Sequence, residues 1–302
     1  METHSIPGAR FVDPKVLARI KDLELLARSV VDGFINGLHR APFFGASIDF
    51  AEHRGYVPGD DIRRIDWKVF ARTDRFYVKQ YEADTNANFA VLLDVSKSMG
   101  FTSGGVSKLE YGKFLGACLA YLSQRQRDRV GIVTFDDEIR AHVPPSAKHF
   151  NQLLHTLDRA KAERPGRLLE MLTTLAEHFK RRSLIALISD LYETPDQLLD
   201  AVRVYRYLGN DVMVFHVLDP AEISFPYKDA SRFQDAESGE VVPVVPEVFA
   251  EQYRKMIREH IDSLRAKFAE ARIDYIQITT DQPLDEALFA YLGDRERLAR
   301  VR

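Results

Sequence analysis

Apolar and polar residues alternate in two different ways along the chain, and the change between them divides the sequence near residue 88. Before that point, the stretch from Pro14 to Leu38 carries apolar residues at helical spacing, which predicts one or two amphipathic helices. The segment from Arg75 to Tyr81 alternates residue by residue and predicts a strand in a small sheet. From Asn88 onward, short apolar runs alternate with amphipathic segments, a pattern typical of a mostly parallel sheet with helices on both faces.

The second part of the chain predicts five strands from its apolar runs and six helices from its amphipathic segments. The predicted strands are Phe89–Asp94, Val130–Phe135, Ser183–Ser189, Val212–Leu218 and Ile273–Ile278. The predicted helices are Lys108–Gln126, Lys148–Ala160, Leu168–Arg181, Pro195–Leu208, Glu247–Ala271 and Leu284–Leu292. A tight turn before Glu138–Val143 predicts a sixth, antiparallel strand at one edge. We therefore expect an α/β fold with a doubly wound, mostly parallel six-stranded sheet.

These patterns predict two domains. Residues 1–87 form an N-terminal α+β region, and residues 88–302 form the sheet domain. Within the second domain, residues 221 to 246 have no clear period and several prolines, which indicates an irregular insertion with a short hairpin.

Composition narrows the classes of function. The chain has 302 residues with 42 basic and 45 acidic side chains, so it offers no global positive surface for nucleic acid. Its single cysteine, Cys118, excludes an internal disulfide and a cysteine-based zinc site. The apolar runs are too short to cross a bilayer, and the first ten residues lack the apolar core of a signal peptide. We expect a cytoplasmic protein that recognises its partner locally.

Candidate chemistry follows the first predicted strand. Ligands of doubly wound sheets bind at the carboxyl ends of the strands, where the strand order reverses. Asp94, Ser96 and Ser98 lie at such an end, and Asp190 ends the fourth strand along the chain, the expected neighbour of the first. Oxygen ligands of this kind suit Mg²⁺, which keeps several waters and needs few protein groups. The four residues are therefore the candidate metal ligands.

This arrangement resembles the metal-ion-dependent adhesion site of von Willebrand factor type A domains. The resemblance implies that the two serines and a threonine bind the metal directly, that the aspartates act mostly through water, and that a partner carboxylate fills an open position. The threonine is missing, because Pro165-Gly166-Arg167 stands where the family has Gly-Gly-Thr. We expect Arg167 to repel a divalent metal at close range, and to be able to pair with Asp94 or Asp190.

A second resemblance rests on the run from Arg54 to Trp67, RGYVPGDDIRRIDW. This run is similar to the signature of a bacterial family of unknown function, numbered 58. The resemblance implies a type A domain behind a family-specific N-terminal region, commonly encoded beside MoxR-type AAA+ ATPases. The run itself is explained either as an internal network of turns and ion pairs or as a partner surface. On the second interpretation the candidate partner-binding residues are Arg54, Asp60, Asp61, Arg63 and Asp66, together with Arg167.

The leading hypothesis is a non-enzymatic interaction module. It recognises a partner carboxylate at the candidate site, with or without Mg²⁺, and by resemblance acts as an adaptor for a MoxR-type AAA+ ATPase or its client. One alternative is a metal-dependent hydrolase at the same site, which needs a positioned base or nucleophile that the sequence does not reveal. The other alternative is a structural scaffold whose metal site has decayed through Arg167.

Overall fold

The computed structural model describes residues 13–40, 53–55, 67–73, 75–79, 87–229, 231–236 and 239–300. The strands are β1 (His53–Gly55), β2 (Tyr77–Lys79), β3 (Asn88–Asp94), β4 (Arg129–Phe135), β5 (Ile139–Ser146), β6 (Ser183–Ser189), β7 (Asp211–Leu218), β8 (Ser231–Gln234), β9 (Val241–Val244) and β10 (Asp274–Thr279). The helices are α1 (Pro14–Leu17), α2 (Leu23–Arg40), α3 (Trp67–Thr73), α4 (Lys108–Arg125), α5 (Phe150–Arg159), α6 (Leu168–Ala176), α7 (Pro195–Tyr207), α8 (Pro220–Ser224), α9 (Pro246–Glu270) and α10 (Asp285–Arg300).

Six of these strands form the main sheet, in the order β10-β7-β6-β3-β4-β5. All neighbours are parallel except β4 and β5, which are antiparallel. The chain builds outward from β3 through β4 to β5 and then returns to the other side of β3 with β6. The strand order therefore reverses between β3 and β6, and the prediction of a doubly wound six-stranded α/β sheet is confirmed.

The two faces of the sheet are buried under different helices, because alternate side chains of each central strand point to opposite sides. Phe89, Val91 and Leu93 of β3 pack in one core with residues of α2, α4, α5 and α10. Ala90 and Leu92 pack in a second core with residues of α6, α7 and α9. Every side chain of β6 is buried, as expected for a strand covered on both faces.

Helix α4 lies unusually close to the sheet. A β-carbon placed on Gly112 would stand 2.9 Å from Leu93 Cδ1, so glycine at this position is what allows the close approach. The helix begins with a capping box in which Ser107 and Glu110 satisfy each other's backbone amides. The close packing fixes the first turn of α4 above the end of β3.

The described part of the N-terminal region packs against the sheet domain. Helix α2 lies on α4, and Arg125 on α4 forms a 2.7 Å ion pair with Asp32 on α2. The alternating segment around Tyr77 forms β2, which pairs antiparallel with β1. The predicted helices and strand of this region are thus present.

Two helices end five or more residues away from their predicted ends. Helix α6 ends at Ala176, five residues before the predicted end, because the segment that follows is held by the side chain of Asn210. The Asn210 amide donates to the carbonyl of Phe179 and accepts from the amide of Ser183. Helix α10 continues to Arg300, eight residues beyond the predicted end.

The predicted insertion contains helix α8 and the antiparallel hairpin of β8 and β9. Phe225 ends α8 in the left-handed conformation, at φ 45°, and its ring stacks on Phe233 of β8. The hairpin is therefore tied to the sheet domain through aromatic contacts. Among the described residues, no helix combines the length and the apolar character needed to span a membrane.

Candidate functional site

Asp94 is the last residue of β3, and its carboxylate connects the two strands at the point where the order reverses. Its Oδ1 accepts a hydrogen bond from the backbone amide of Ser96 at 2.8 Å. Its Oδ2 accepts a hydrogen bond from Oγ of Ser189, the last residue of β6, at 2.7 Å. Asp190 follows directly. The structure thus brings Asp94 and Asp190 together across the switch point, as the strand order predicts.

The two serines of the motif are presented by a short 3-10 turn. The turn runs from Lys97 to Gly100, immediately after Ser96, and the side chain of Met99 is fully buried beneath it. The Oγ atoms of Ser96 and Ser98 lie 3.1 Å apart. Adjacent ligands of an octahedral Mg²⁺ ion, at about 2.0–2.1 Å from the metal, are separated by roughly 2.9 Å. The two hydroxyls therefore stand near the spacing of neighbouring metal ligands.

The loop before α6 packs directly on the first of these serines. Ser96 forms a parallel bridge with Arg164, and the amide of Lys97 donates to the carbonyl of Arg164 at 2.7 Å. A β-carbon on Gly166 would stand 2.6 Å from Cβ of Ser96, far inside any normal contact. The Pro165-Gly166-Arg167 loop thus lies beside Ser96, as the resemblance to type A domains implies. Only a residue without a β-carbon allows the loop to pack this close to Ser96.

Arg167 itself turns away from the aspartates. It occupies the N-cap position of α6, its side chain is 65% exposed, and its guanidinium pairs with Glu170 one turn along the helix at 3.2 Å. The expectation that it pairs with Asp94 or Asp190 is therefore wrong. The physical reason is local, since a carboxylate three residues ahead on a helix surface is within easy reach and leaves the guanidinium hydrated. Its role in partner binding stays a prediction.

The cation at the site is instead Lys108, the first residue of α4. Its side chain is fully buried, and its Nζ lies 2.7 Å from Oδ2 of Asp190 and 2.7 Å from Oε1 of Glu222. The ring of Tyr192 covers the same ammonium, with its centroid 4.9 Å from Nζ. Burial alone would lower the pKa of Lys108, but the charges of Asp190 and Glu222 outweigh it and raise the pKa. The lysine is a permanent internal cation.

Glu222 extends this network toward the insertion. Its Oε2 accepts from the backbone amide of Asp219, which caps α8, while its Oε1 binds Lys108. Asp219 in turn accepts from both the amide and the hydroxyl of Ser103, in the loop between the motif and α4. The loop, α8 and the end of β6 are thus connected by consecutive charged hydrogen bonds.

Among the residues that the structure describes, no cation is in direct contact with Asp94. Burial raises the pKa of its carboxyl group to about 7, and the nearby charge of Asp190 acts in the same direction. The hydrogen bonds from Ser189 and Ser96 oppose that shift without cancelling it. A cation between Asp94 and Asp190 would remove the unfavourable charge.

A strained turn orients Asp190. The next residue, Leu191, is fully buried and adopts a left-handed conformation with φ 49°, which costs a non-glycine residue about 1 kcal/mol or more. Its amide donates to Oγ of Ser189, and its carbonyl binds Nε2 of His260 on α9. Two elements therefore hold the turn that points Asp190 at Lys108.

Of the five candidate residues of the N-terminal motif, the structure describes one. Arg54 lies in β1, paired with Val78 of β2. The other four candidates, Asp60, Asp61, Arg63 and Asp66, lie outside the described residues. Their role as a partner surface stays a prediction.

The donor set fits a magnesium ion held by few protein groups. Ser96 and Ser98 would supply two neutral hydroxyl ligands, and Asp94 and Asp190 would supply charge close by. Within the described part of the chain, no group of three or more histidine, cysteine or acidic side chains is placed to hold a metal. The ligand set implied by the resemblance to type A domains, hydroxyls and waters with aspartates nearby, does not include such a group.

Comparison with known proteins identifies a family and one similar relative. The family model described as "Protein of unknown function DUF58" matches residues 52–267. An uncharacterized protein of Mycobacterium tuberculosis, Rv1480, is 30% identical over 238 residues, which cover 76% of this chain and 73% of the relative.

One similar solved structure is BatB from Bacteroides thetaiotaomicron, which is described as a conserved hypothetical protein. The TM-score is 0.48 and the sequences are 16% identical. The similarity covers 70% of this chain and 99% of the BatB chain. The type A domain of SpRpn10 has a TM-score of 0.40 and 12% identity, with coverage of 67% and 93%. The match over residues 52–267 and the similarity to Rv1480 show that the chain belongs to the DUF58 family.

Proposed function

We propose that this protein is a non-enzymatic interaction module that binds an acidic group of a partner protein at the Asp94–Ser96–Ser98 edge of its sheet. Mg²⁺, when bound, supplies a Lewis-acidic centre with an open position for the partner's carboxylate. Ser96 and Ser98 hold the ion, while Asp94 and Asp190 balance its charge and orient its waters.

One observation carries this proposal, which is the 3.1 Å spacing of the two serine hydroxyls beside a buried aspartate at the switch point. The two serine hydroxyls are hydrogen-bonded to each other at this distance, and Asp94 is joined to the end of β6 through Ser189. The hydroxyl of Ser98 lies at the surface end of this group, as its side chain is only partly buried. A ligand can therefore approach from solvent.

We further propose that the partner is a MoxR-type AAA+ ATPase or a client that it remodels, and that the protein serves as an adaptor in complex assembly or maturation. This step is supported by the family resemblance of the chain. The cytoplasmic location expected from the composition stays a prediction.

Co-purification tests the proposal. Tagged protein is used to capture the MoxR-type ATPase of the same organism in Mg²⁺ and in EDTA, with wild type and with Ser96→Ala plus Ser98→Ala. Capture should require Mg²⁺ and both hydroxyls. Ser29→Ala, at an exposed position on α2, is the matched control and should capture the ATPase normally. Equal capture by all three proteins, in EDTA as well as in Mg²⁺, would show that the Asp94–Ser96–Ser98 site does not bind the ATPase.

The hydrolase hypothesis has a separate test. Purified protein with Mg²⁺ or Mn²⁺ is assayed against generic phosphate-ester and carboxylate-ester substrates. The proposal predicts no turnover above that of Asp94→Asn. Turnover that is abolished by this substitution would establish an enzyme in place of an interaction module.

A further inference from the structure

We propose that Lys108 is a built-in competitor of the metal, which weakens cation binding at the Asp94–Ser96–Ser98 site by neutralising Asp190 from within the protein. This inference rests on the proposed metal site and adds a residue that sets its affinity.

Lys108 faces two carboxylates and two aromatic rings, and the second ring is that of Phe101, whose centroid lies 6.0 Å from Nζ. Its ammonium is completely buried, and it is in contact with Asp190, Glu222 and the ring of Tyr192. It comes from the first turn of α4, where the helix dipole disfavours a positive charge. A cation in that position is held there by the two carboxylates.

The charges around Asp190 follow from these contacts. One ammonium is shared between two carboxylates, so Asp190 keeps part of its negative charge toward Asp94. If the ammonium is removed, Asp190 regains its full charge, and the attraction for a divalent ion rises. If Glu222 is neutralised instead, Asp190 becomes the only carboxylate paired with Lys108 among its two present partners. The positive charge of Lys108 then offsets more of the charge of Asp190, and the attraction between the site and a divalent ion falls. The two substitutions are therefore predicted to change metal affinity in opposite directions.

Titration of Mn²⁺, followed by electron paramagnetic resonance of the free ion, measures these effects in the full chain. We expect Lys108→Met to bind Mn²⁺ about tenfold more tightly than wild type, and Glu222→Gln to bind about threefold more weakly. Glutamine keeps the acceptor that bonds the amide of Asp219, so α8 retains its cap. Lys113→Met is the control, because that lysine lies on the same helix and donates to the carbonyl of Asp158.

The outcomes separate the inference from the proposed function. Wild-type binding with equal or weaker binding by Lys108→Met overturns the inference and leaves the metal site standing. If Lys108→Met does not fold, Glu222→Gln decides: weaker binding supports the inference, and equal or tighter binding overturns it. If Lys108→Met binds Mn²⁺ and wild type does not, the inference is supported in its strongest form, because Lys108 then prevents metal binding in the native protein. Absence of binding in wild type and in both folded variants overturns the inference and the metal site together.

Discussion

Gly166 and Ser96 are in such close contact that a single β-carbon on the glycine would stand 2.6 Å from Cβ of the serine. The two residues come from different loops, one before α6 and one after β3, and the bridge between Ser96 and Arg164 holds those loops together. The place of the candidate site thus depends on a residue with no side chain.

Gly166→Ala should therefore damage the site. The added methyl group must push the two loops apart, and overpacking of this kind costs about 1–3 kcal/mol of stability. We expect a lower midpoint in urea unfolding and weaker Mn²⁺ binding. Gly33→Ala is the matched control, because nothing lies within 4 Å of a β-carbon at that helical position. It should be neutral or slightly stabilising, and a larger loss for Gly33→Ala than for Gly166→Ala would contradict the packing argument.

The buried network of Lys108 gives a stability prediction. Lys108→Met leaves Asp190 and Glu222 without their cation, and breaking a buried ion pair in this way costs about 3–5 kcal/mol. Denaturant unfolding in EDTA should show this loss. Adding Asp190→Asn and Glu222→Gln to the same variant should recover most of it, because no uncompensated charge then remains. A triple variant less stable than Lys108→Met would show that the network stabilises the fold by more than charge balance.

His216 makes stability depend on pH. This residue of β7 is fully buried, its Nδ1 is bonded to the hydroxyl of Tyr275, and its Nε2 has no hydrogen-bond partner among the described residues. Burial lowers its pKa to about 3, and His260 acts in the same direction. Below pH 6.5, the unfolded chain binds a proton that the folded chain does not, so stability falls as pH falls from there toward 3.

The loss attributable to His216 between pH 6.5 and 5 should be about 2 kcal/mol, from the 1.36 kcal/mol that each pH unit is worth for one proton. Unfolding free energies of wild type and His216→Gln, measured over that range, isolate the effect. The variant should show a flatter dependence on pH. His155→Gln, at an exposed position on α5, should keep the wild-type slope. Parallel slopes for wild type and His216→Gln would rule out the histidine as the cause.

Much of the architecture and part of the site are predictable from sequence. Apolar runs such as Ser183–Ser189 coincide with their strands, because a strand that is buried on both faces is apolar along nearly its whole length. Strand order then brings Asp94 and Asp190 together without any knowledge of side-chain positions. The helix end at Ala176 was missed because Asn210, a residue 34 positions away, holds the segment beyond it.

The sequence does not identify the cation that lies beside Asp190. Arg167 was placed at the site by its correspondence to a threonine, but position alone does not determine where a long side chain points, and Glu170 offered a nearer partner. Lys108 is the first residue of α4. Its positive charge at a helix N-terminus was an available signal, since such a charge is unfavourable unless a carboxylate elsewhere binds it. The acids that bind it, Asp190 and Glu222, are 82 and 114 residues away and become neighbours only in the fold.

The central claim is that Ser96 and Ser98 hold a metal ion at the carboxyl edge of the sheet. Anomalous diffraction from crystals of the full chain grown with Mn²⁺ tests it most directly. The account predicts one anomalous peak within bonding distance of both hydroxyl oxygens and beside Asp94, and its absence in crystals of Ser96→Ala plus Ser98→Ala. Well-ordered serines with no peak between them at saturating Mn²⁺, or a peak bound elsewhere on the chain, would contradict it.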